Sequence, residues 1–503
     1  MQGSGGLSAG TFRKIIRNFT EPGKPGSFFV GLLTYVQNRS LITGGAIQKI
    51  SEVGDMKKTD ILVIGGSATG LVAAMTAKSN NPDKVVTVIR KEEKVMIPCG
   101  IPYIFGTVDT SDNNILPDAG LVKLGVEIII DEVLSVDTEK KKCLTKAGET
   151  FEYEKLIMGT GSLPSVPKWL KGTDLKNVFT IPKDKVYLDG IVDKLTGMED
   201  VVVIGGGFIG VEVSDELNKK GKNVTLVEIL PYILGATFDD EFASVAQELL
   251  VERGVSVITG SGVSEIKGNG SVSGVVLQDG REIKADAVIL SLGYNPNTKL
   301  AADMGLELNE FGFIKADQYR RTSVPDVFAA GDCAEKVDFA TGRLSRIMLA
   351  STACTEARTA GLNLYGLNTF SVFRGTVGIY STCIGNTAFG VAGLIEKHAV
   401  KEGFKIITSS FTGINRHPGK IEDAHKEMVK LIVSCQSGVI LGGEVMGGKC
   451  AGELTNVLGF AIQNHMTVHD LIMTQIGTQP LLTASPAGYP LIKAAEAAVA
   501  KLK

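Results

Sequence analysis

Apolar positions in this chain gather into short unbroken runs that end at glycines, and several are followed by a helical rhythm. Ile61-Leu62-Val63-Ile64 enters Gly65-Gly66-Ser67-Ala68-Thr69-Gly70 and then Leu71 to Lys78, whose spacing predicts a helix; Val85 to Ile89 predicts the next strand. The order returns at Val201 to Ile204, Gly205 to Gly210, a helix from Val211 to Lys220, and a strand from Val224 to Val227 that ends at Glu228. Tyr153 to Met158 and Ala285 to Leu292 predict strands that run into glycine loops at Gly161 and Gly293, and Thr322 to Asp332 a short strand closing on Gly331-Asp332. Strands alternating with helices in this way predict an α/β chain with parallel sheets.

The glycine turns carry chemistry. A strand, a glycine turn and a helix N-terminus together turn backbone N–H groups toward a pyrophosphate. The first turn offers Gly65, Gly66, Ser67, Ala68 and Gly70, with Ser67 replacing the middle glycine of G-x-G-x-x-G. The second keeps the full spacing at Gly205, Gly207 and Gly210. Glu228 stands where a carboxylate accepts from an adenosine ribose and repels a 2′-phosphate, which predicts NADH over NADPH. Asp332 is placed to reach a ribityl hydroxyl, with Gly331 beside phosphate, so the first turn is expected to hold FAD.

Composition narrows the field. The 503 residues predict about three domains at roughly 150 residues each. A net charge of -3, without a nucleic-acid motif, argues against a nucleic-acid partner. Seven cysteines without a CxxC pair argue against a zinc ribbon or disulfide framework and fit the cytoplasm; the five histidines all lie at or after His398, so no metal is expected. The apolar run Phe28 to Val36 is too short to span a bilayer, and no membrane association is expected. Residues 1–55 read as a leader of unknown role, either a true extension or a piece upstream of a native start at Met56.

In combination these motifs resemble the pyridine nucleotide–disulfide oxidoreductase superfamily, in its single-cysteine branch of coenzyme A disulfide reductases and NADH oxidases. The resemblance spans residues 59 to 495. It implies two Rossmann-like three-layer dinucleotide-binding domains, one for FAD (56–165 and 290–365) and one for NAD (166–289), plus a C-terminal α+β dimerisation domain (366–503). It also implies a homodimer, and it places Glu212 near the flavin and nicotinamide.

Cys99, in Pro98-Cys99-Gly100-Ile101-Pro102-Tyr103, follows the second strand on the side where strand ends face the cofactor. A cysteine opening a helix there, beside an oxidised flavin ring, is expected to be the catalytic thiol, with its thiolate stabilised. Dithiol members of the superfamily carry a second cysteine five residues on, where this chain has Ile104, and a C-terminal histidine, which Thr474 to Pro486 lacks. NADH oxidases and peroxidases usually carry a histidine where this chain has Ala68. The expected acceptor is therefore a small disulfide, persulfide or polysulfide such as coenzyme A disulfide, with oxygen, or a redox protein partner, as alternatives. Arg90 stands where the flavin strand is expected to end in an acid; either Glu92 or Glu93 substitutes, or the ribose is held differently. Cys333 is expected to pack behind the flavin, and Tyr380 and Tyr489 to be packing residues.

Overall fold

The computed structural model describes residues 56–369 and 374–502. The leader, with its apolar run at Phe28 to Val36, lies outside the described residues.

The apolar runs become strands covered on both faces. Lys57–Ile64 pairs in parallel with Val86–Arg90 on one side and Thr150–Met158 on the other, with Ile64 level with Ile89 and Met158. Glu127–Ile130 extends one edge, and Val327–Ala329 returns late in the chain to pair with Leu156 to Met158. The helices Ala68–Asn80 and Ala350–Leu362 lie against one face, where small residues bring them close. A Cβ at Gly361 would stand 2.9 Å from Cβ of Thr76. Val133–Asp137 and Lys142–Thr145 continue the sheet as an antiparallel arm, and Ala301, Met304 and Ile314 cover the opposite face.

A second parallel sheet is ordered Ser256–Ile258, Asn223–Val227, Asp200–Ile204, Ala287–Leu290, Val178–Thr180. Helices Lys185–Leu195, Phe208–Lys219 and Asp240–Glu252 cover one face, and a three-stranded antiparallel sheet built from Val263–Gly268, Val272–Leu277 and Glu282–Lys284 covers the other. The chain enters and leaves this unit side by side, because Ser162–Pro164 pairs antiparallel with Tyr294–Pro296.

The C-terminal region is a five-stranded antiparallel sheet ordered Ile379–Ile384, Thr387–Gly393, Ile440–Gly447, Lys426–Ser434, Ile406–Ile414. Ala451–Gln463, Val468–Met473 and Pro490–Val499 cover one face, while Ile384, Phe389 and Val391 join the core of the second unit. The same core takes in Met96, Ile101, Ile104 and Phe105, which flank Cys99, so the cysteine segment sits where three parts of the chain meet.

Candidate functional site at Cys99 and the two glycine loops

Cys99 lies on a 3-10 helix, Pro98–Phe105, and is exposed, while Ile104 is buried in the core. The helix is held from the second unit. Glu212 and Glu216, one turn apart on Phe208–Lys219, meet Tyr103 and Thr107, four residues apart on the cysteine segment. Glu216 accepts from the Thr107 backbone N–H at 2.5 Å and from its hydroxyl at 2.9 Å. Thr382, from the C-terminal sheet, donates to Glu212 Oε1 at 2.8 Å, and Tyr103 also bonds this carboxyl. Burial pushes the Glu212 carboxyl up to about 7 against those two bonds.

The cysteine segment is a tight 3-10 turn. Although Cys99 keeps access to solvent, the protein groups around it push the thiol up, first through partial desolvation and then through Glu212; Asp332 and Cys354 add to this, and Lys183 opposes it. Lys183 Nζ donates to Asp332 Oδ2 at 2.6 Å and to Ser162 Oγ at 3.1 Å. Ser162 Oγ also bonds Asp332 Oδ2 at 2.8 Å. Burial raises the Asp332 carboxyl, but Lys183 and Ser162 outweigh it and hold the group below its ordinary value.

The glycine loops explain their own residues. Gly65, at φ +103°, would put a Cβ 2.2 Å from the Gly159 carbonyl oxygen, and a Cβ on Gly70 would stand 1.7 Å from the Gly65 oxygen. The second loop repeats both approaches, with a Cβ on Gly205 2.4 Å from the Ser291 oxygen and one on Gly210 1.9 Å from the Gly205 oxygen. Ser67 and Gly207 are the N-caps of the two helices. The Ser67 side chain makes no capping bond, Ala68 opens its helix, and a Cβ at Gly207 would meet only open space. The backbone at both helix starts is thus free to meet a pyrophosphate. Gly161 and Gly293, both at positive φ, turn the chain beside the two crossing strands.

Gly331-Asp332 joins the first loop directly. A Cβ on Gly331 would lie 2.2 Å from Thr69 Oγ1, and the Gly331 N–H donates to Glu356 Oε2 at 2.8 Å. Glu356 is buried and paired with Arg320 at 2.9 Å, and Lys336 Nζ bonds the Gly331 carbonyl oxygen at 3.0 Å. Cys333 is fully buried beneath the turn. Asp332 of this turn, with Lys183 and Glu212, acts electrostatically on Cys99, and the cradle at Gly65, Gly70 and Gly331 fits a dinucleotide such as FAD. Glu228 belongs to the second loop, where its Oε2 accepts from the Gly206 N–H at 2.6 Å and its Oε1 from the Leu230 N–H at 2.8 Å.

Sequence reasoning missed Lys183 and Thr382, which reach the site from distant positions, and gave no role to Tyr103 of the cysteine motif. The backbone carbonyl oxygens of Glu92 and Glu93 accept from Arg90. Tyr380 stacks on Phe208 with ring centroids 5.3 Å apart, and Tyr489 packs in the C-terminal core, both within this chain. Among the described residues, no helix is long and apolar enough to cross a membrane.

The chain matches the family model for pyridine nucleotide-disulphide oxidoreductases over residues 59–357 and that family's dimerisation domain over residues 379–487. It is 31% identical over 447 residues to the NAD(P)H coenzyme A polysulfide/persulfide reductase of Pyrococcus horikoshii, covering 88% of this chain and 98% of that one. It is 29% identical to an NADH oxidase of Methanocaldococcus jannaschii, covering 88% and 99%. Among solved structures, an NAD-dependent persulfide reductase from A. fulgidus is similar, with a TM-score of 0.81, 29% identity and coverage of 88% and 83%. The water-forming NADH oxidase from Lactobacillus brevis bound to NADH gives a TM-score of 0.80, 27% identity and coverage of 88% and 99%. This chain belongs to the pyridine nucleotide-disulphide oxidoreductases, FAD-dependent enzymes that draw electrons from NAD(P)H, and it carries their dimerisation domain.

Proposed function

We propose that this enzyme uses NADH to reduce a small disulfide, persulfide or polysulfide, with Cys99 as its one redox thiol. The observation that carries the reading is the exposed Cys99 followed five residues on by buried Ile104 in place of a second cysteine, which supports an outside sulfur as the thiol's partner. Bound FAD supplies two-electron transfer between nicotinamide and sulfur.

The chain's own residues account for the rest. Gly65, Gly66, Ser67, Ala68, Gly70, Gly161, Gly331 and Asp332 are assigned to FAD, and Gly205, Gly207, Gly210, Glu228 and Gly293 to NADH. The Glu228 carboxylate, fixed by two backbone N–H groups, accepts a ribose hydroxyl and repels the 2′-phosphate of NADPH. Cys99 Sγ attacks one sulfur of the acceptor, so that a Cys99–S bond forms, the S–S bond breaks and a thiolate leaves. Two electrons and a proton then cleave the Cys99–S bond, freeing the second thiol and returning the Cys99 thiolate. Lys183 is the cation that favours that thiolate, and Glu212, whose carboxyl changes charge near neutrality, holds or gives up a proton beside it. A cytoplasmic homodimer formed through the C-terminal domain completes the reading.

Anaerobic NADH oxidation by the wild type and by Cys99→Ser, with coenzyme A disulfide, polysulfide or glutathione disulfide as acceptor, tests the proposal. A sulfur acceptor is expected to support turnover that the variant loses. If oxygen uptake at the wild-type rate persists in Cys99→Ser and no sulfur acceptor is used, the enzyme is an NADH oxidase instead.

A further inference from the structure

The two glycine loops align through one backbone bond each. The Gly65 N–H donates to the Ile89 oxygen at 2.9 Å, and the Gly205 N–H to the Val227 oxygen at 2.9 Å. The next residues, Arg90 and Glu228, therefore occupy the same place beside their loops. In the second loop that place holds a carboxylate that accepts from the Gly206 N–H. In the first it holds a guanidinium, which has no acceptor atom to offer.

Arg90 is nevertheless built into the loop. Its stem crosses Gly66 so closely that a Cβ there would lie 2.4 Å from Arg90 Cδ, and its side chain is 2% exposed. Nε donates to the Glu92 oxygen and Nη2 to the Glu93 oxygen, both at 2.9 Å. Nη1 and Nη2 grip Asp118 Oδ1 and Oδ2 as a two-pronged fork, each at 2.6 Å. Four of the five guanidinium N–H groups are thus used, and one on Nη1 is left. Asp118 stays 35% exposed, and its carboxylate keeps lone pairs beyond the two that Arg90 takes. The accessible part of the pair is the Asp118 carboxylate, an acceptor whose charge Arg90 balances. A ribose hydroxyl, which can donate, matches that face.

We infer that the Arg90–Asp118 pair is the adenosine-ribose grip of the flavin site, with Asp118 accepting from a ribose hydroxyl as Glu228 does in the nicotinamide site. The acid absent from the strand end is supplied from 28 residues downstream, and Arg90 is the positioning residue that holds it. The inference rests on the first loop being the FAD site.

FMN lacks adenosine, so the full chain, stripped of flavin and titrated with FAD and with FMN, tests it. Asp118→Asn is expected to weaken FAD roughly tenfold to a hundredfold, the worth of a hydrogen bond to a charged group, while leaving FMN unchanged. The double variant Arg90→Glu/Asp118→Asn, which copies the second loop, is expected to recover the preference for FAD. A wild-type arm needs no variant: FAD lacking the adenosine 2′-hydroxyl should bind more weakly than FAD. Unchanged FAD affinity in Asp118→Asn, or equal loss of FAD and FMN, would overturn the inference while leaving the flavin site itself standing. A wild-type chain that binds neither flavin would sink both.

Discussion

The two glycine loops of this chain share one backbone plan and diverge in what surrounds it. Each folds a glycine at positive φ against a neighbouring carbonyl and packs a second glycine so close that a Cβ on it would stand within 2 Å of the first one's oxygen, so a Cβ is barred at the same two places. They part company at the strand end, Arg90 against Glu228, and again on the helices that follow. Ala68–Asn80 carries no carboxylate, and Val72 stands where the second helix has Glu212. The first loop is walled in by Gly331-Asp332 and Ala350–Leu362, whereas the second sends Glu212 and Glu216 out to hold the cysteine segment. The two loops thus share a backbone cradle suited to a pyrophosphate and differ in the side chains around it.

Substitutions at the barred positions separate the loops most sharply. Gly70→Val is expected to yield protein without flavin, read as loss of visible absorbance per chain. Gly210→Val is expected to keep the flavin and lose its reduction by NADH. If either variant lost both properties, the division of labour between the loops would be wrong.

The strand-end residue comes next in size. Glu228→Ala is expected to lower the preference for NADH over NADPH by roughly tenfold to a hundredfold, seen in the ratio of kcat/KM values, because the ribose acceptor and the barrier to a 2′-phosphate vanish together. Flavin content should not change.

The smallest effects concern charge around Cys99. The Glu212 carboxyl keeps its proton up to about 7 in the folded chain, against an ordinary 4.5. The native state therefore binds the extra proton between those values. This group's contribution to stability is fully present below about 4.5 and is lost as pH rises through about 7. Glu212→Gln is expected to remove an inflection near neutrality from the pH–rate profile and, by removing a nearby negative charge, to shift alkylation of Cys99 by iodoacetamide to lower pH. Lys183→Met should shift alkylation the opposite way, since Lys183 opposes the rise in the thiol's pKa. Identical profiles in all three proteins would remove Glu212 and Lys183 from the thiol chemistry.

Much of this arrangement was legible in the sequence because its signals are local. A buried strand, a glycine turn and a helix start lie within a dozen residues, so both loops could be read from spacing, and Glu228 and Asp332 from their places at strand ends. Cys99 stood out for the same reason. The groups that tune the site were hidden by distance: Lys183 reaches Asp332 across 149 positions, and Thr382 reaches Glu212 across 170. The partial desolvation and the Glu212 charge that push the thiol up were hidden for the same reason, since both come from groups distant in sequence. Asp118 had a usable signal. A buried arginine at a strand end requires a carboxylate partner, and Pro117-Asp118 opens the next helical stretch, but nothing local says which acid folds back.

The claim that sulfur chemistry passes through Cys99 can be tested on the protein itself. Wild-type enzyme, reduced anaerobically with limiting NADH and then given coenzyme A disulfide, should show by peptide mass spectrometry a coenzyme A adduct on Cys99 and on none of the other six cysteines. An unmodified Cys99 in enzyme that consumes NADH with that acceptor would contradict the account.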